Sequence, residues 1–125
     1  MTADLMPLLG YHHIEYYVGN AKQAMHYYRT AFGFTPVAYA GPETGQRDKA
    51  SWVMRQGDIT WVMSAGLGPD SEICQHQLAH GDGVKDVALQ VPDAETAHRV
   101  ALERGAESVM APTVMEDEHG KVVIA

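Results

Sequence analysis

The residues of this sequence best suited to chemistry alternate along one short polar stretch. His13, Glu15 and Tyr17 fall on the same face of a predicted strand, because side chains two residues apart point to the same side. Asp86 and Gln90 are the predicted neighbours of this face on a second strand. Imidazole and carboxylate groups together suit a ligand or metal cup, but they also satisfy one another by hydrogen bonds. We favour a hydrogen-bonded face, with His13 as the one candidate metal ligand.

The other histidines give no complete metal site. His76 and His80 stand four residues apart on a predicted helix, a spacing that brings two imidazoles within reach of one metal. They lack a glutamate beside the first histidine and a third ligand, so a solvated helix face is expected. His12 is expected to point to the opposite face of the strand from His13. His119 lies in the predicted DEHG turn, where Asp117 and Gly120 favour the turn conformation.

The thiol and the hydroxyls offer no nucleophile. Cys74 and His76 are two residues apart on the predicted helix and face different sides, so the thiol is expected to pack as a small apolar group. Ser51, Ser64 and Ser71 have no glycine elbow around them. Neither GxGxxG nor GxxxxGK[ST] occurs in the sequence, which gives nucleotide binding no support.

The strand and helix that position these groups occur twice. The first copy is a predicted strand over Tyr11–Val18 and a helix that begins after the cap Asn20 and stops at Gly33. The second copy, VKDVALQVPDAETAHRVALERGA, repeats the order with Asp93 as the cap and Gly105 as the stop. An internal duplication with only two copies predicts a domain of paired modules rather than a solenoid.

The first helix has a single apolar stripe, which predicts that one side packs on a sheet. The stripe contains Ala21, Ala24, Met25, Tyr28 and Phe32. We expect the neighbouring Tyr27 with Tyr28, and the hairpin residues Trp52 and Trp61, to pack between helix and sheet as well.

Further strands complete each copy. In the first copy they are predicted at Thr35–Ala40, Ala50–Arg55 and Ile59–Ser64. A short helix capped by Asp70 or Ser71 and closed by Gly81 links the copies. The second copy continues with strands over 108–114 and 121–125, separated by a turn over 116–120, and then stops one strand short of the first.

These elements predict an α+β fold of two tandem βαβββ modules in a single domain over residues 1–125. Module 1 covers about 11–66, the linker helix about 69–81 and module 2 about 83–125. Because the second module lacks its last strand, we expect a fragment of a longer protein or a chain that borrows a strand. The unpaired edge beside Lys121–Ala125 predicts a dimer or larger assembly, for which exchange of modules is one route.

Composition narrows the functional classes. The 125 residues suit one domain with its own core. A net charge of −7 and the lack of a Lys/Arg cluster argue against a nucleic-acid partner. The single cysteine fits a reducing compartment, and the N-terminal MTADLMPLLG is neither signal peptide nor membrane span. The sequence therefore predicts a cytoplasmic protein without a membrane partner.

Five segments carry a resemblance to a known family. They are VGNAKQAMHYYRTAFGF, VAYAGPETG, RQGDITWVMS, HGDGVKDVALQVPDA and EDEHGKVVIA, and in this order they resemble the N-terminal domain of the 4-hydroxyphenylpyruvate dioxygenase family. The resemblance runs from about Tyr11 to Ala125. Met54, Met63 and Met115 stand where leucine would be expected, a change that conserves volume.

The resemblance implies the vicinal oxygen chelate fold of glyoxalases, bleomycin-resistance proteins and extradiol dioxygenases. It further implies an oxidoreductase that converts 4-hydroxyphenylpyruvate and dioxygen to homogentisate in tyrosine breakdown. Its Fe(II) would be held by two histidines and one glutamate of a C-terminal domain absent from this sequence, leaving this chain without a cofactor. In this fold, metal ligands come from first and last strands of modules. His13 and Asp86 occupy first-strand positions, whereas Ile59–Ser64 offers no acid or histidine.

Two functional hypotheses follow. In the first, the chain is the non-catalytic N-terminal domain of such a dioxygenase, or of the sibling hydroxymandelate synthase, and its partner is the C-terminal catalytic domain or a second copy. In the second, it is a free-standing paired-module protein that dimerises and binds a small molecule, or a metal through His13. The missing last-strand acid favours the first, and we expect no turnover by this chain alone.

Overall fold

A computed structural model describes residues 7–117 and 120–124 and confirms the mixed α+β class. The strands are β1 (Gly10–Tyr17), β2 (Thr35–Ala40), β3 (Lys49–Gln56), β4 (Ile59–Gly66), β5 (Gly83–Gln90), β6 (Thr113–Asp117) and β7 (Gly120–Ile124). The helices are α1 (Ala21–Phe32), α2 (Glu72–His80) and α3 (Ala94–Glu103), and a single 3-10 turn covers Pro42–Thr44. The predicted order of strand, helix and three strands in the first module is therefore confirmed.

Five strands form one sheet in the order β2-β3-β4-β1-β5. β1 runs parallel to β4, with Tyr17 alongside Ser64, and β3 and β4 form an antiparallel hairpin in which Ser51 faces Ser64. Because side chains alternate along a strand, this register puts Glu15, Tyr17, Ser51 and Ser64 on one face of the sheet.

The described chain divides into two compact units. One unit holds Tyr11–Ala88, and the other combines the described residues before Tyr11 with those from Leu89 onward. The boundary falls inside β5 rather than in a linker. The predicted module boundaries follow from the sequence repeat and not from compactness, so they stay a prediction.

The core of the Tyr11–Ala88 unit lies between α1 and the sheet. It consists of Val18, Ala21, Met25, Phe34, Met54, Met63 and Ala65. Met54 and Met63 are 0% and 1% exposed, so these unbranched side chains fill the centre of the cluster. Trp52 and Trp61 are partly buried against it, as their pattern predicted.

Two aromatic residues of α1 that were expected in the core lie at the surface instead. Tyr27 is 55% exposed and Phe32 is 53% exposed. Tyr27 lies one position off the buried stripe, and Phe32 is the last helical residue before the chain turns at Gly33. Both rings contact Tyr28, which packs against the core, but neither is enclosed by the sheet.

Caps fix where the helices begin and end. The Asn20 side chain accepts a hydrogen bond from the Gln23 N–H at 2.9 Å, and Gly33, at φ +79°, ends α1 in the left-handed region. The Asp93 carboxylate accepts from the Glu95 N–H at 3.1 Å at the start of α3. The predicted caps of both helices are thus confirmed.

The first strand after α3 begins later than the expected range of 108–114, because β6 starts at Thr113. Pro112 explains this difference. Proline has no N–H to donate to a ladder and restricts the residue before it, so regular pairing begins only beyond it.

The hairpin of β6 and β7 extends further toward its turn than expected. Asp117 pairs with Gly120, so β6 and β7 reach into the predicted turn range of 116–120 from both sides. His119 lies outside the described residues. After α3 the described residues hold two strands, paired in a sheet of their own, where module 1 has three strands after α1.

Candidate functional site on the polar face of β1

The face of β1 opposite the α1 core carries the groups predicted to share chemistry. The carboxylates of Glu15 and Asp86 act on both the His13 imidazole and the Tyr17 phenol, so these groups form one neighbourhood. Burial, and secondly the adjacent His12, lower the pKa of His13, while the two carboxylates oppose that shift. Burial, followed by Glu15, raises the pKa of Tyr17. Imidazole and phenol are therefore both neutral near pH 7.

Ser64 joins this face to the hairpin of β3 and β4. Its side chain is fully buried, and its hydroxyl donates a hydrogen bond to Glu15 Oε2 at 3.0 Å. Ser51 Oγ lies 2.8 Å from Ser64 Oγ. Because the single Ser64 proton goes to Glu15, Ser51 is the donor of the second bond. The three residues form one hydrogen-bonded chain, and its buried central hydroxyl is closed to any substrate.

The register of the hairpin is the signal that predicts this series of hydrogen bonds. Gln56 pairs with Ile59 around the Gly57-Asp58 turn, where Gly57 takes a φ of +57°. Counting outward from that turn puts Ser51 opposite Ser64. The sequence alone excludes the two hydroxyls as nucleophiles, and it does not reveal that they are hydrogen-bonded to a strand carboxylate.

His12 and His13 lie side by side, which corrects the expectation that they point to opposite faces. Their Nδ1 atoms are 2.7 Å apart and their ring centroids 5.0 Å apart. One nitrogen must donate and the other accept, since two lone pairs or two N–H groups at this distance repel. The pairing of β1 with β4 begins only at Ile14, so it does not include His12 and His13.

The other end of the polar face meets α2. The His76 ring packs edge-on against Tyr17 at 5.3 Å, and Lys85 Nζ lies 5.9 Å from the centre of the same ring. His80 lies 4.8 Å from His76 between ring centroids and is exposed, as predicted for a solvated helix face. That prediction is wrong for His76, whose Nδ1 is buried with no hydrogen-bond partner among the described residues.

Cys74 packs α2 closely against β4. A Cβ built on Gly66 would lie 2.6 Å from Cys74 Sγ and 2.5 Å from Ser71 Oγ, so only glycine leaves room there. Ser71 is the cap of α2 and accepts from the Ile73 N–H at 3.2 Å. The half-buried thiol thus packs between α2 and β4, as expected for a small apolar side chain.

The described residues do not bring together three groups able to hold a metal. His13 has carboxylates nearby, but one oxygen of Glu15 already accepts from Ser64. The β4 residue alongside Tyr17, on the strand expected to supply a ligand, is Ser64. Gln90 belongs to the other compact unit, so its predicted place beside this face stays a prediction.

An open cavity of about 460 Å³ beside the start of α1 was not predicted. Its walls include the rings of Tyr39 and Trp52, 4.6 Å apart, and the side chains of Lys22 and Glu43. The Tyr39 hydroxyl donates to Glu43 at 2.6 Å and holds the pKa of that carboxyl below its ordinary value. Aromatic walls with a few polar groups suit a small molecule, but this cavity does not include the polar face of β1.

Comparison with known proteins identifies the family. The profile described as "Hydroxyphenylpyruvate dioxygenase, HPPD, N-terminal" matches residues 3–123. The chain belongs to this family. The expectation drawn from the five sequence segments is therefore confirmed. In the hydroxyphenylpyruvate dioxygenases of this family, such a domain is the N-terminal part of the protein.

Curated relatives match this chain over nearly all of its length but only part of theirs. The 4-hydroxyphenylpyruvate dioxygenase of Xenopus tropicalis is 48% identical over 118 residues, which cover 94% of this chain and 30% of the relative. That of Yarrowia lipolytica is 40% identical over 129 residues, covering 100% of this chain and 33% of the relative. The chain thus spans about a third of the length of these relatives.

Solved structures confirm the vicinal oxygen chelate fold. A mutant of 4-hydroxymandelate synthase from Streptomyces coelicolor superposes with a TM-score of 0.87 at 32% identity, covering 94% of this chain and 34% of that one. Methylmalonyl-CoA epimerase from Mycobacterium tuberculosis gives 0.74 at 16% identity, covering 98% and 82%. The second likeness concerns the fold alone.

Proposed function

We propose that this chain is the non-catalytic N-terminal domain of a 4-hydroxyphenylpyruvate dioxygenase-like enzyme, with a role in structure and assembly. The observation that carries this proposal is the hydrogen-bonded chain from Ser51 through Ser64 to Glu15. Polar groups that satisfy one another in this way have less capacity left for a substrate or a metal. Family membership supports the choice of parent enzyme.

The parent reaction is assigned to the remainder of such an enzyme. It converts 4-hydroxyphenylpyruvate and dioxygen to homogentisate in tyrosine breakdown. Fe(II) held by two histidines and one glutamate of a C-terminal domain keeps coordination positions open for substrate and oxygen. Because this chain spans about a third of its relatives' length, it supplies scaffold rather than that triad in our proposal.

The side chains of this domain do not fit the iron site. His12, His13 and a nearby carboxylate have the right chemical types, but the two imidazoles present Nδ1 to each other at 2.7 Å rather than to a common point. Glu15 accepts the Ser64 proton, and the described residues contain no group of three ligands. We therefore derive no catalytic step through iron in this domain.

Partners and location follow from the same proposal. The partner is the C-terminal catalytic domain, together with a second copy of the chain in a homo-oligomer. A cytoplasmic location is supported by the single cysteine, which suits a reducing compartment. Within residues 7–117 and 120–124, no helix has the length and apolar character needed to cross a membrane.

A hydroxymandelate-forming parent is the second candidate. It is favoured by the TM-score of 0.87 and 32% identity to the synthase mutant from Streptomyces coelicolor. The residues that separate the two products would lie with the iron, outside this domain. Our structural assignment for this chain is the same in either parent.

An activity assay of the purified chain tests the proposal. The chain is incubated with Fe(II), ascorbate and 4-hydroxyphenylpyruvate, and homogentisate and 4-hydroxymandelate are measured by chromatography. We expect neither product, while a full-length dioxygenase assayed in parallel forms homogentisate. Formation of either product by the purified chain, with loss of that activity in His13→Ala, would overturn the proposal.

A further inference from the structure

The end of α1 presents aromatic rings to solvent that the apolar pattern assigned to the core. Tyr27 and Phe32 are each more than half exposed. Large aromatic side chains are the residues most often found at the centre of protein interfaces. A surface pair of such rings on one helix end is therefore a candidate contact site.

These rings are held in place by neighbours that reach into the core. The Tyr27 and Tyr28 rings lie 5.1 Å apart, and Tyr28 and Phe32 lie 5.6 Å apart. Tyr28 in turn contacts Trp61 at 5.1 Å, and Trp61 stacks on the buried Phe34 at 4.5 Å. Side chains already ordered in the free protein lose less conformational entropy on binding, which favours association at this surface.

The charge on α1 has the opposite sign to that of the whole chain. The helix carries Lys22, His26 and Arg29, spaced as one stripe, and no aspartate or glutamate occurs between Tyr16 and Pro42. The chain as a whole has 16 acidic residues and a net charge of −7. Among the described residues the one salt bridge lies on α3, and Lys22 lies near enough to Glu43 to lower the pKa of that carboxyl. Arg29 forms no salt bridge among these residues, so its charge is left for a partner.

We propose that this α1 surface, defined as Tyr27 and Phe32 with the basic stripe Lys22, His26 and Arg29, docks on an acidic surface of a second copy of the chain. It deepens the assembly role proposed above and rests on it. Like charges oppose a contact of α1 with α1. The rest of the chain holds all of its acidic residues, so a second copy supplies the complementary charge. A two-fold axis makes this contact twice, once from each copy.

Sedimentation of the purified chain over a wide range of concentration tests this surface. We expect a reversible dimer whose dissociation constant rises with salt, because complementary charges are screened. Phe32→Ser removes an apolar anchor and Arg29→Glu reverses a charge. Each is expected to weaken the dimer about tenfold or more. Leu78→Ser, which alters a 76% exposed apolar residue on α2, is the matched control and should leave the dimer unchanged.

Specific outcomes would overturn the inference. They are a wild-type chain that stays monomeric at every concentration, or a dimer that both Phe32→Ser and Arg29→Glu leave intact. A monomeric chain that binds a separate C-terminal catalytic domain through Phe32 would assign the surface to that domain instead. Arg29 is exposed in the last turn of α1, where a glutamate is less favourable than arginine, so thermal unfolding of Arg29→Glu separates loss of docking from loss of helix stability. None of these results changes the activity assay, which tests the proposed function separately.

Discussion

The two faces of the five-stranded sheet carry different kinds of side chain on the same strands. On the α1 side, Met54 and Met63 are almost fully buried in an apolar cluster. On the other side, Glu15, Ser51 and Ser64 are joined by hydrogen bonds. Alternate residues of each strand point to opposite faces. Substitutions on the polar face can therefore leave the apolar packing of the α1 side unchanged.

In our proposal, this difference allows the fold to be kept while a metal site is lost. Burial of apolar side chains stabilises the α1 side regardless of what the polar face does. The polar face needs only that its buried donors and acceptors be satisfied, and the Ser64 hydroxyl donates to one oxygen of Glu15. A family that shares this scaffold is therefore free to place its chemistry in another domain.

The largest expected effect is on the α1 side. Met63→Ala leaves a cavity at a position that is 1% exposed, and large-to-small core changes of this type cost about 2–5 kcal/mol. Met63→Leu conserves volume and is expected to cost less than about 1.5 kcal/mol. Urea unfolding followed by circular dichroism measures both. Equal losses for the two variants would contradict the core packing described for this face.

A smaller effect is expected on the polar face. Ser64→Ala removes the donor to Glu15 and the acceptor for Ser51, at an expected cost of about 1–3 kcal/mol. Ser51→Ala leaves the bond from Ser64 to Glu15 intact and is expected to cost about 0.5–1.5 kcal/mol. The same unfolding measurement ranks the two variants. A stabilised Ser64→Ala protein would show that the hydrogen-bonded chain has no structural value.

The smallest expected effect is a change in pH dependence at His13. Burial lowers its folded pKa below the ordinary value of 6.5, so protonation is harder in the folded chain than in the unfolded one. This contribution costs no stability above pH 6.5, and stability is lost as the pH falls from 6.5 through the folded pKa. His13→Gln should lose less stability across that window. Parallel pH profiles for both proteins would contradict the burial of this imidazole.

Much of this fold was predictable because the signals are local. The caps Asn20 and Asp93 and the stop at Gly33 act within a few residues, so the ends they set were predicted correctly. The apolar stripe of α1 correctly identified Ala21 and Met25 as buried. It also included the exposed Phe32, because periodicity does not reveal where the sheet stops supporting a helix.

The candidate site was less predictable because it depends on register between distant strands. Alternation identified the shared face of His13, Glu15 and Tyr17. The link to Ser64 required knowing that β1 runs parallel to β4 with Tyr17 beside that serine. Alternation assigns His12 and His13 to opposite faces, so it does not predict that their Nδ1 atoms lie 2.7 Å apart.

Metal content shows whether the polar face of β1 is a satisfied hydrogen-bonded surface without a metal site. The wild-type chain and His13→Ala are purified, exposed to Fe(II) without oxygen and desalted. Their iron content is then measured by inductively coupled plasma mass spectrometry. We expect the same substoichiometric metal content in both proteins. One metal ion per wild-type chain, lost in His13→Ala, would contradict it and make this domain a metal-binding protein in its own right.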